Sequence, residues 1–395
     1  MEHQGLQYCT LCCIPETVEG VVFDELGICQ ACQSAGQKMH INWVERERAL
    51  RDILEKAKTA AGNNYDCLLP ISGGKDSFFQ AHMLTQVYGM KPLAVTFSHN
   101  LYSETGYYNL QLLLETFNID HIQFTPNRNL VNRLLKKSLG AIGDSCWHCH
   151  AGVGAFPLQV AVKFKIPLLI WGESIAEDSG RASYFDPVHR FDRDYFTKVS
   201  AKLTPEQMQD EELSARDVFP FTLPDYEEIE SVGVYGIHLG DYIFWDDERQ
   251  MEFVRDVYGW RETEMEGAYK GYKSAECILS GMHDFTCYLK RGFGRGTSQA
   301  ALDIRKGLLT REEGLALAAK VERQRPEVLD YYLEVTGMTE AEFYAVMDAL
   351  RHEKLKGKPL PVLPKTHTHP ESLLPYSLQV IQRLKKASDP RESES

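Results

Sequence analysis

"LPISGGKDSFF" (residues 69–79) joins two different hydrophobic patterns. Ahead of it, "YDCLLPI" is an apolar run with strand character; behind it, "FFQAHMLTQVYG" carries apolar residues at helical spacing. The glycine-rich segment therefore sits between a strand and a helix, where unpaired backbone N–H groups face outward at the positive end of the helix dipole. "SGGKDS" lacks the four-residue spacer of a Walker A sequence and is too short for a dinucleotide fingerprint. Gly73 and Gly74 let the backbone approach phosphate oxygens, Ser72 and Ser77 offer hydroxyls, and Lys75 supplies a point charge. Asp76 is placed to hold Mg²⁺ or to position a donor. The alternative is a tight strand-to-helix turn without a ligand.

Outward from this loop the chain alternates. Residues 41–60 read as an amphipathic helix, "KPLAVTF" (91–97) as a second strand, and 103–119 as a helix capped by Ser103. "HIQFTP" (121–126) is a third strand, followed by helices around 129–139 and 152–164 and a buried strand in "IPLLIWGES" (166–174). Such alternation predicts an α/β fold with a doubly wound parallel sheet and ligands at the carboxyl ends of its strands. Residues 176–230 read as a helix plus long loops, "VYGIHLGDYIFW" (234–245) as another strand, and 309–355 as helical, opening on a capping box at Thr310 and Glu313. "KKASDPRESES" reads as a disordered, solvated tail.

Among 395 residues, 43 are basic and 56 acidic, so the formal net charge is −13. That balance disfavours nucleic acid as a partner but leaves room for a local basic pocket. Without a long apolar run or a signal-peptide start, a cytoplasmic protein with no membrane partner is expected. Cys9, Cys12, Cys29 and Cys32 form C-x2-C-x16-C-x2-C, the spacing at which two turns present four thiolates to one Zn²⁺. "VVFDELGICQAC" alternates and turns at Gly27 as a small ribbon would, and Cys13 offers a ligand swap with Cys12. Disulfides or unbound thiols are the alternative. A closed four-thiolate site has no open position, so its work is folding and docking.

"SGGKDS" after an apolar strand resembles the pyrophosphate loop of the PP-loop ATP pyrophosphatases, also called adenine nucleotide alpha hydrolase-like, which split ATP to AMP and pyrophosphate. "CTLCC…FDELGICQAC", "VTFSHNLYSETG", "CWHCHAGVGAFPLQVAVKFKIPLLIWGES" and "LKRGFGRGTSQAALDIRKGLLTREE" narrow the likeness, which runs over most of residues 9–320. Together they resemble the N-acetyl sugar amidotransferases of bacterial lipopolysaccharide O-antigen and pseudaminic acid biosynthesis. The resemblance implies a zinc ribbon over 1–40, a PP-loop domain over 41–300 and a helical region over 301–395. It also implies a ligase that uses ATP with Mg²⁺ to turn the acetamido group of a nucleotide-activated sugar into an acetamidino group. Ammonia would come from a separate glutaminase, with a channel subunit as a further expected partner, the two resembling imidazole glycerol phosphate synthase; no glutaminase unit is visible in the chain.

The catalytic expectations are Lys75, Asp76 and Glu173, with residues 72–77 and Gly172 holding the nucleotide. Gly172 and Glu173 end a strand that must meet the nucleotide. Glu173 is read as a Mg²⁺ ligand or as acceptor of a proton from ammonia, and otherwise as a capping or salt-bridged carboxylate. In "KRGFGRGTSQ" (290–299), Lys290, Arg291 and Arg295 among glycines are expected to clamp the substrate's phosphates; a flexible basic loop is the alternative. Cys146 and Cys149 of "CWHCH" are read as substrate-lining or structural, as metal or cluster ligands with Cys277 or Cys287, or as redox thiols. His148 and His150 are expected in the core or a pocket rather than as ligands, and Cys67 in the core. Two rival functions remain: an RNA thiolase with zinc and an iron–sulfur cluster, and a non-catalytic ATP-binding assembly subunit.

Overall fold

Alternation of side chains along five short strands generates the two faces of one parallel sheet. In the computed structural model, which describes residues 5–178, 183–185, 201–361, 363–365 and 373–387, the strands are β1 (Cys67–Pro70), β2 (Pro92–Phe97), β3 (His121–Phe124), β4 (Leu168–Trp171) and β5 (Tyr235–His238). They lie in the order β3-β2-β1-β4-β5, all parallel. The register sets Leu69 opposite Ala94 and Leu68 opposite Leu169. Cys67, Leu69 and Ile170 therefore pack on one side, against α2 (Trp43–Ala61), α3 (Lys75–His82) and α4 (Glu104–Phe117) through Leu50, Leu54, Phe78 and Leu113. Leu68, Val95 and Leu169 pack on the other, against Leu158 and Ala161 of α6 (Trp147–Phe164). The sheet is doubly wound, as the alternation predicts.

This order has a consequence for ligands. From β1 the chain winds outward through β2 and β3, then crosses back to lay β4 on the other side of β1. The crevice of such a reversal opens at the carboxyl ends of the two central strands, where both flanking connections turn away. Residues 72–77 leave β1 there and Gly172 and Glu173 leave β4.

Two further cores adjoin the sheet. Helices Ser280–Arg291, Val328–Thr336 and Glu340–Ala349 close over α5 (Arg128–Ile142), burying Val131, Leu135, Met282, Leu329, Tyr332 and Phe343. The cysteine ribbon, ending in α1 (Gln30–Lys38), packs its buried side on the small residues Ala300, Ala301 and Ala318 of helices Arg295–Arg305 and Arg311–Glu322. The predicted capping box forms: Thr310 Oγ1 accepts from the Glu313 N–H at 3.2 Å, and Glu313 Oε2 accepts from the Thr310 N–H at 2.8 Å.

Three expectations change. α6 starts at Trp147 rather than near 152, so "CWHCH" opens a helix; its first turn is polar, which hides it from an apolar-period reading, and the Asp144 carboxylate accepts the N–H of the N-cap residue Cys146 at 2.8 Å. "KRGFGRGTSQ" is the end of one helix, a short turn through Gly292 at φ +80°, and the start of the next, not a flexible loop. Of 234–245, only Tyr235–His238 is strand, and a 3-10 turn follows at Leu239–Asp241. The expected tail beyond Ala387 lies outside the described residues, as do 179–182 and 186–200 of the polar segment. Among the described residues no helix is long and apolar enough to cross a membrane.

Candidate nucleotide and substrate site

The loop is shaped by its own hydroxyls. Ser77 Oγ accepts from the Ser72 N–H at 3.0 Å, Ser72 Oγ accepts from the Gly74 N–H at 3.2 Å, and Gly73 O accepts from Trp260 Nε1 at 3.1 Å. Gly73 lies at φ +89°, and a Cβ there would stand 2.8 Å from the backbone nitrogen of Leu110. Only glycine satisfies both constraints. At the end of β4, a Cβ on Gly172 would meet Gln80 Nε2 of α3 at 2.2 Å, so the strand end approaches the helix that follows the loop closely because it is glycine.

Charge is concentrated where the strands end. Lys75 is 1% exposed and donates to Asp76 Oδ1 at 2.5 Å and to Asp247 Oδ1 at 2.8 Å. Lys273 reaches Asp247 Oδ2 at 3.1 Å and Glu173 Oε2 at 3.5 Å. Burial lowers the Lys75 pKa, but Asp76 and Asp247 more than offset it and hold the ammonium above its ordinary value. Burial raises the Asp247 carboxyl, yet Lys273 and Lys75 bring it well below the usual carboxylate range. One oxygen from each of Asp76, Glu173 and Asp247 lies within 4.8 Å of the others. Three converging hard oxygen donors beside a phosphate-shaped loop fit Mg²⁺.

The expected Lys75, Asp76 and Glu173 are thus brought together. Asp247, Lys273 and Trp260 were not anticipated, and neither was Glu276, whose Oε2 is buried without a hydrogen-bond partner among the described residues and would stand 3.7 Å from a Cβ at Gly74. Burial raises the Glu276 pKa and favours its protonated form. The sequence signal for Asp247 was the pair of carboxylates in "YIFWDDE", placed just after the last strand.

A cavity of about 440 Å³, within the range of small-molecule sites, adjoins this cluster, with Lys273 in its wall. Lys202, Lys273, Lys290, Arg291, Arg295 and Arg305 face it, against three carboxylates, Glu19, Asp144 and Asp284. The expected clamp residues line it, each already held: Arg291 by Glu19 at 3.0 Å and Arg295 by Asp284 at 2.5 Å. Burial first, then Arg291 and Lys202, bring Lys290 down to about 8. Ile14, Val18 and Glu19 of the ribbon complete one side. Cys146 and Cys149 do not line the cavity, whereas His150 of the same helical turn does. Burial raises Cys149 and Cys277, and the Cys277 thiol is raised further by Cys146 and Cys149, so these three thiols share one neighbourhood. His148 is 1% exposed and burial lowers it to about 4; Cys67 is core, as expected.

The ribbon's thiols fit zinc. Cys9 Sγ lies 3.8 Å from Cys32 Sγ, and Cys12 Sγ lies 3.8 Å from Cys29 Sγ. Sulfurs about 2.3 Å from a tetrahedral zinc stand about 3.8 Å apart. Arg305 Nη2 lies 3.8 Å from Cys12 Sγ, bringing a positive charge to the four sulfurs. Cys13 points elsewhere, donating to Thr297 O at 3.4 Å, so the four ligands of the spacing stand without a swap.

No curated protein matches the chain. Among solved structures, the NMN synthetase of Francisella tularensis is similar over 57% of this chain and 98% of its own, at 12% identity and a TM-score of 0.25. Residues 266–358 match the family described as LPS biosynthesis protein WbpG-like, C-terminal domain. That span carries Lys273, His283, Arg291, Arg295 and Arg305, so the likeness takes in much of the cavity wall.

Proposed function

We propose that the chain is an ATP-dependent, AMP-forming amidotransferase of lipopolysaccharide biosynthesis that converts the acetamido group of a nucleotide-activated sugar into an acetamidino group. The observation that carries the reading is Lys273, shared between the loop's carboxylate cluster and a cationic cavity: one residue links a site suited to metal-complexed phosphates with a site suited to a second anionic substrate. The family match over residues 266–358 supports the lipopolysaccharide context.

An amide oxygen is a poor leaving group. Its attack on the α-phosphorus of ATP, with loss of the amide proton, gives an O-adenylyl imidate and expels pyrophosphate. Ammonia then adds to the imidate carbon, and AMP leaves with the former amide oxygen. The loop N–H groups and Lys75 would orient the phosphates, and the buried surroundings would strengthen each charge interaction. Asp76, Glu173 and Asp247 would hold Mg²⁺, which would supply neutralisation of the charge on pyrophosphate. Glu173 would take the proton that ammonia gives up. Arg291 and Arg295 would hold the sugar nucleotide's phosphates. Unprotonated ammonia is scarce near neutral pH, so a separate glutaminase and a channel subunit would deliver it, docking on the ribbon or on the helices of 309–355.

A second reading, an RNA thiolase, is favoured by one observation, the shared neighbourhood of Cys146, Cys149 and Cys277. Pyrophosphate release from Mg·ATP with an ammonium salt, measured against a panel of acetamido sugar nucleotides and against bulk tRNA, separates the two. The amidotransferase requires release that depends on one sugar nucleotide and a product with oxygen replaced by NH in its mass spectrum. Release driven by tRNA alone overturns it. Arg295→Ala should raise the KM for the sugar nucleotide; an unchanged KM removes Arg295 from the substrate site.

A further inference from the structure

We propose that Asp144, His150 and His283 form a second metal site, for a divalent transition-metal ion, in the wall of the cavity. Each offers a donor atom, and the three donors lie within 4.8 Å of one another. His283 Nδ1 stands 3.3 Å from Asp144 Oδ1, close to the roughly 3.4 Å that separates two donors about 2.1 Å from a tetrahedral ion. The imidazoles of His150 and His283 face each other with centroids 5.4 Å apart and planes at 35°.

The fold assembles these groups from opposite sides. Asp144 follows the left-handed cap Gly143 that ends α5, His150 lies in the first turn of α6, and His283 comes from helix Ser280–Arg291 across the interface. Asp144 is 9% exposed, and its carboxylate is fixed by the Cys146 N–H at 2.8 Å, the kind of hydrogen bond that orients a metal-ligating carboxylate. All three residues line the cavity.

The donor set selects the ion. Two imidazoles and one carboxylate suit zinc or another first-row divalent ion, unlike the all-oxygen set of Asp76, Glu173 and Asp247. Three protein ligands leave a coordination position, and since all three residues line the cavity it would take water or an oxygen of a molecule bound there. The site differs from the ribbon in that the four thiolates leave no such position. It stands whether or not the amidotransferase reading holds.

Metal content tests it. The full-length protein, equilibrated with buffered micromolar free zinc and separated from excess, should hold two zinc ions per chain: one in the ribbon and one here. His283→Gln and His150→Gln should each hold one. His150→Gln leaves the His283 and Asp144 pair intact and keeps the test meaningful if His283→Gln does not fold. With cobalt(II) in place of zinc, His150→Gln should lose the visible bands of a nitrogen- and oxygen-ligated centre and retain the thiolate-to-cobalt absorption of the ribbon. One zinc ion per wild-type chain under these conditions, or two in His150→Gln, overturns the proposal.

Discussion

Replacing Asp247 by asparagine removes one negative charge while keeping shape and one acceptor. In the wild type its two oxygens lie 2.8 Å from Lys75 Nζ and 3.1 Å from Lys273 Nζ. At an effective dielectric constant of about 20, each contact corresponds to about 5–6 kcal/mol of gross attraction, most of it offset by desolvation. Stripping one partner from a buried pair costs about 3–5 kcal/mol when the other charge is left alone. Neither lysine is left alone here, since Lys75 keeps Asp76 and Lys273 keeps Glu173. The expected loss is therefore about 2–3 kcal/mol, read as a fall of several degrees in thermal unfolding. The pH dependence has a sign: a carboxyl held below its ordinary value contributes stability that is complete above the unfolded value and is lost only as pH falls through the lowered one. Between pH 5 and 8 the deficit should consequently be constant, about 4 being the unfolded value. A titration with Mg·ATP should show at least about tenfold weaker binding, equivalent to about 1.4 kcal/mol, from the lost metal ligand. Unchanged unfolding would refute the ion-pair reasoning, and a stability loss with unchanged Mg·ATP affinity would refute Asp247 as a metal ligand.

Gly73→Ala should destabilise the chain by more than about 2 kcal/mol and abolish binding of a fluorescent ATP analogue, because the left-handed backbone and the 2.8 Å approach to Leu110 act together. Lys290→Met should raise the unfolding temperature at pH 7 and weaken binding of the anionic substrate. The folded chain binds fewer protons than the unfolded chain between pH 8 and the ordinary lysine value, so wild-type stability climbs with pH across that window, and methionine removes the climb, worth about 1–2 kcal/mol after discounting partial exposure. On the proposed function, Cys29→Ser should abolish zinc binding by the ribbon and raise the KM for the sugar nucleotide about tenfold, since Ile14, Val18 and Glu19 wall the cavity. Affinity for Mg·ATP alone, measured by calorimetry, should stay unchanged in that variant.

How much of this was legible depended on sequence separation. The loop, the Ser103 cap and the four ribbon cysteines were readable because each is a local pattern whose spacing alone sets the geometry. The sheet followed from alternation, and its order then placed Glu173 beside Lys75. Asp247 was hidden because a carboxylate opening a helix looks the same whether it caps the helix or faces a lysine 172 positions earlier. His150 was read as a pocket or core residue because nothing in "CWHCH" announces a partner at His283, and that partner exists only once the helical lobe closes over α5. Arg291 and Arg295 line the cavity, but their carboxylate partners, one in the ribbon and one in the preceding helix, left no trace at the glycine-rich turn.

Those partners explain how a chain of net charge −13 can present a cationic cavity. An unpaired arginine on a cavity wall samples many rotamers, and ordering it on binding costs free energy. Glu19 and Asp284 order Arg291 and Arg295 in advance. The charge is moreover segregated: carboxylates dominate at the strand ends, where two lysines face three of them, and cations dominate in the cavity, where six face three. A nucleotide carrying its own cation is suited to the first and a metal-free diphosphate to the second. A metal-free diphosphate placed at the strand ends would meet carboxylates of its own sign, so the pattern favours a metal-complexed anion there. Lys273, neutralised on one side by Glu173 and Asp247, is then the group that the two sites share.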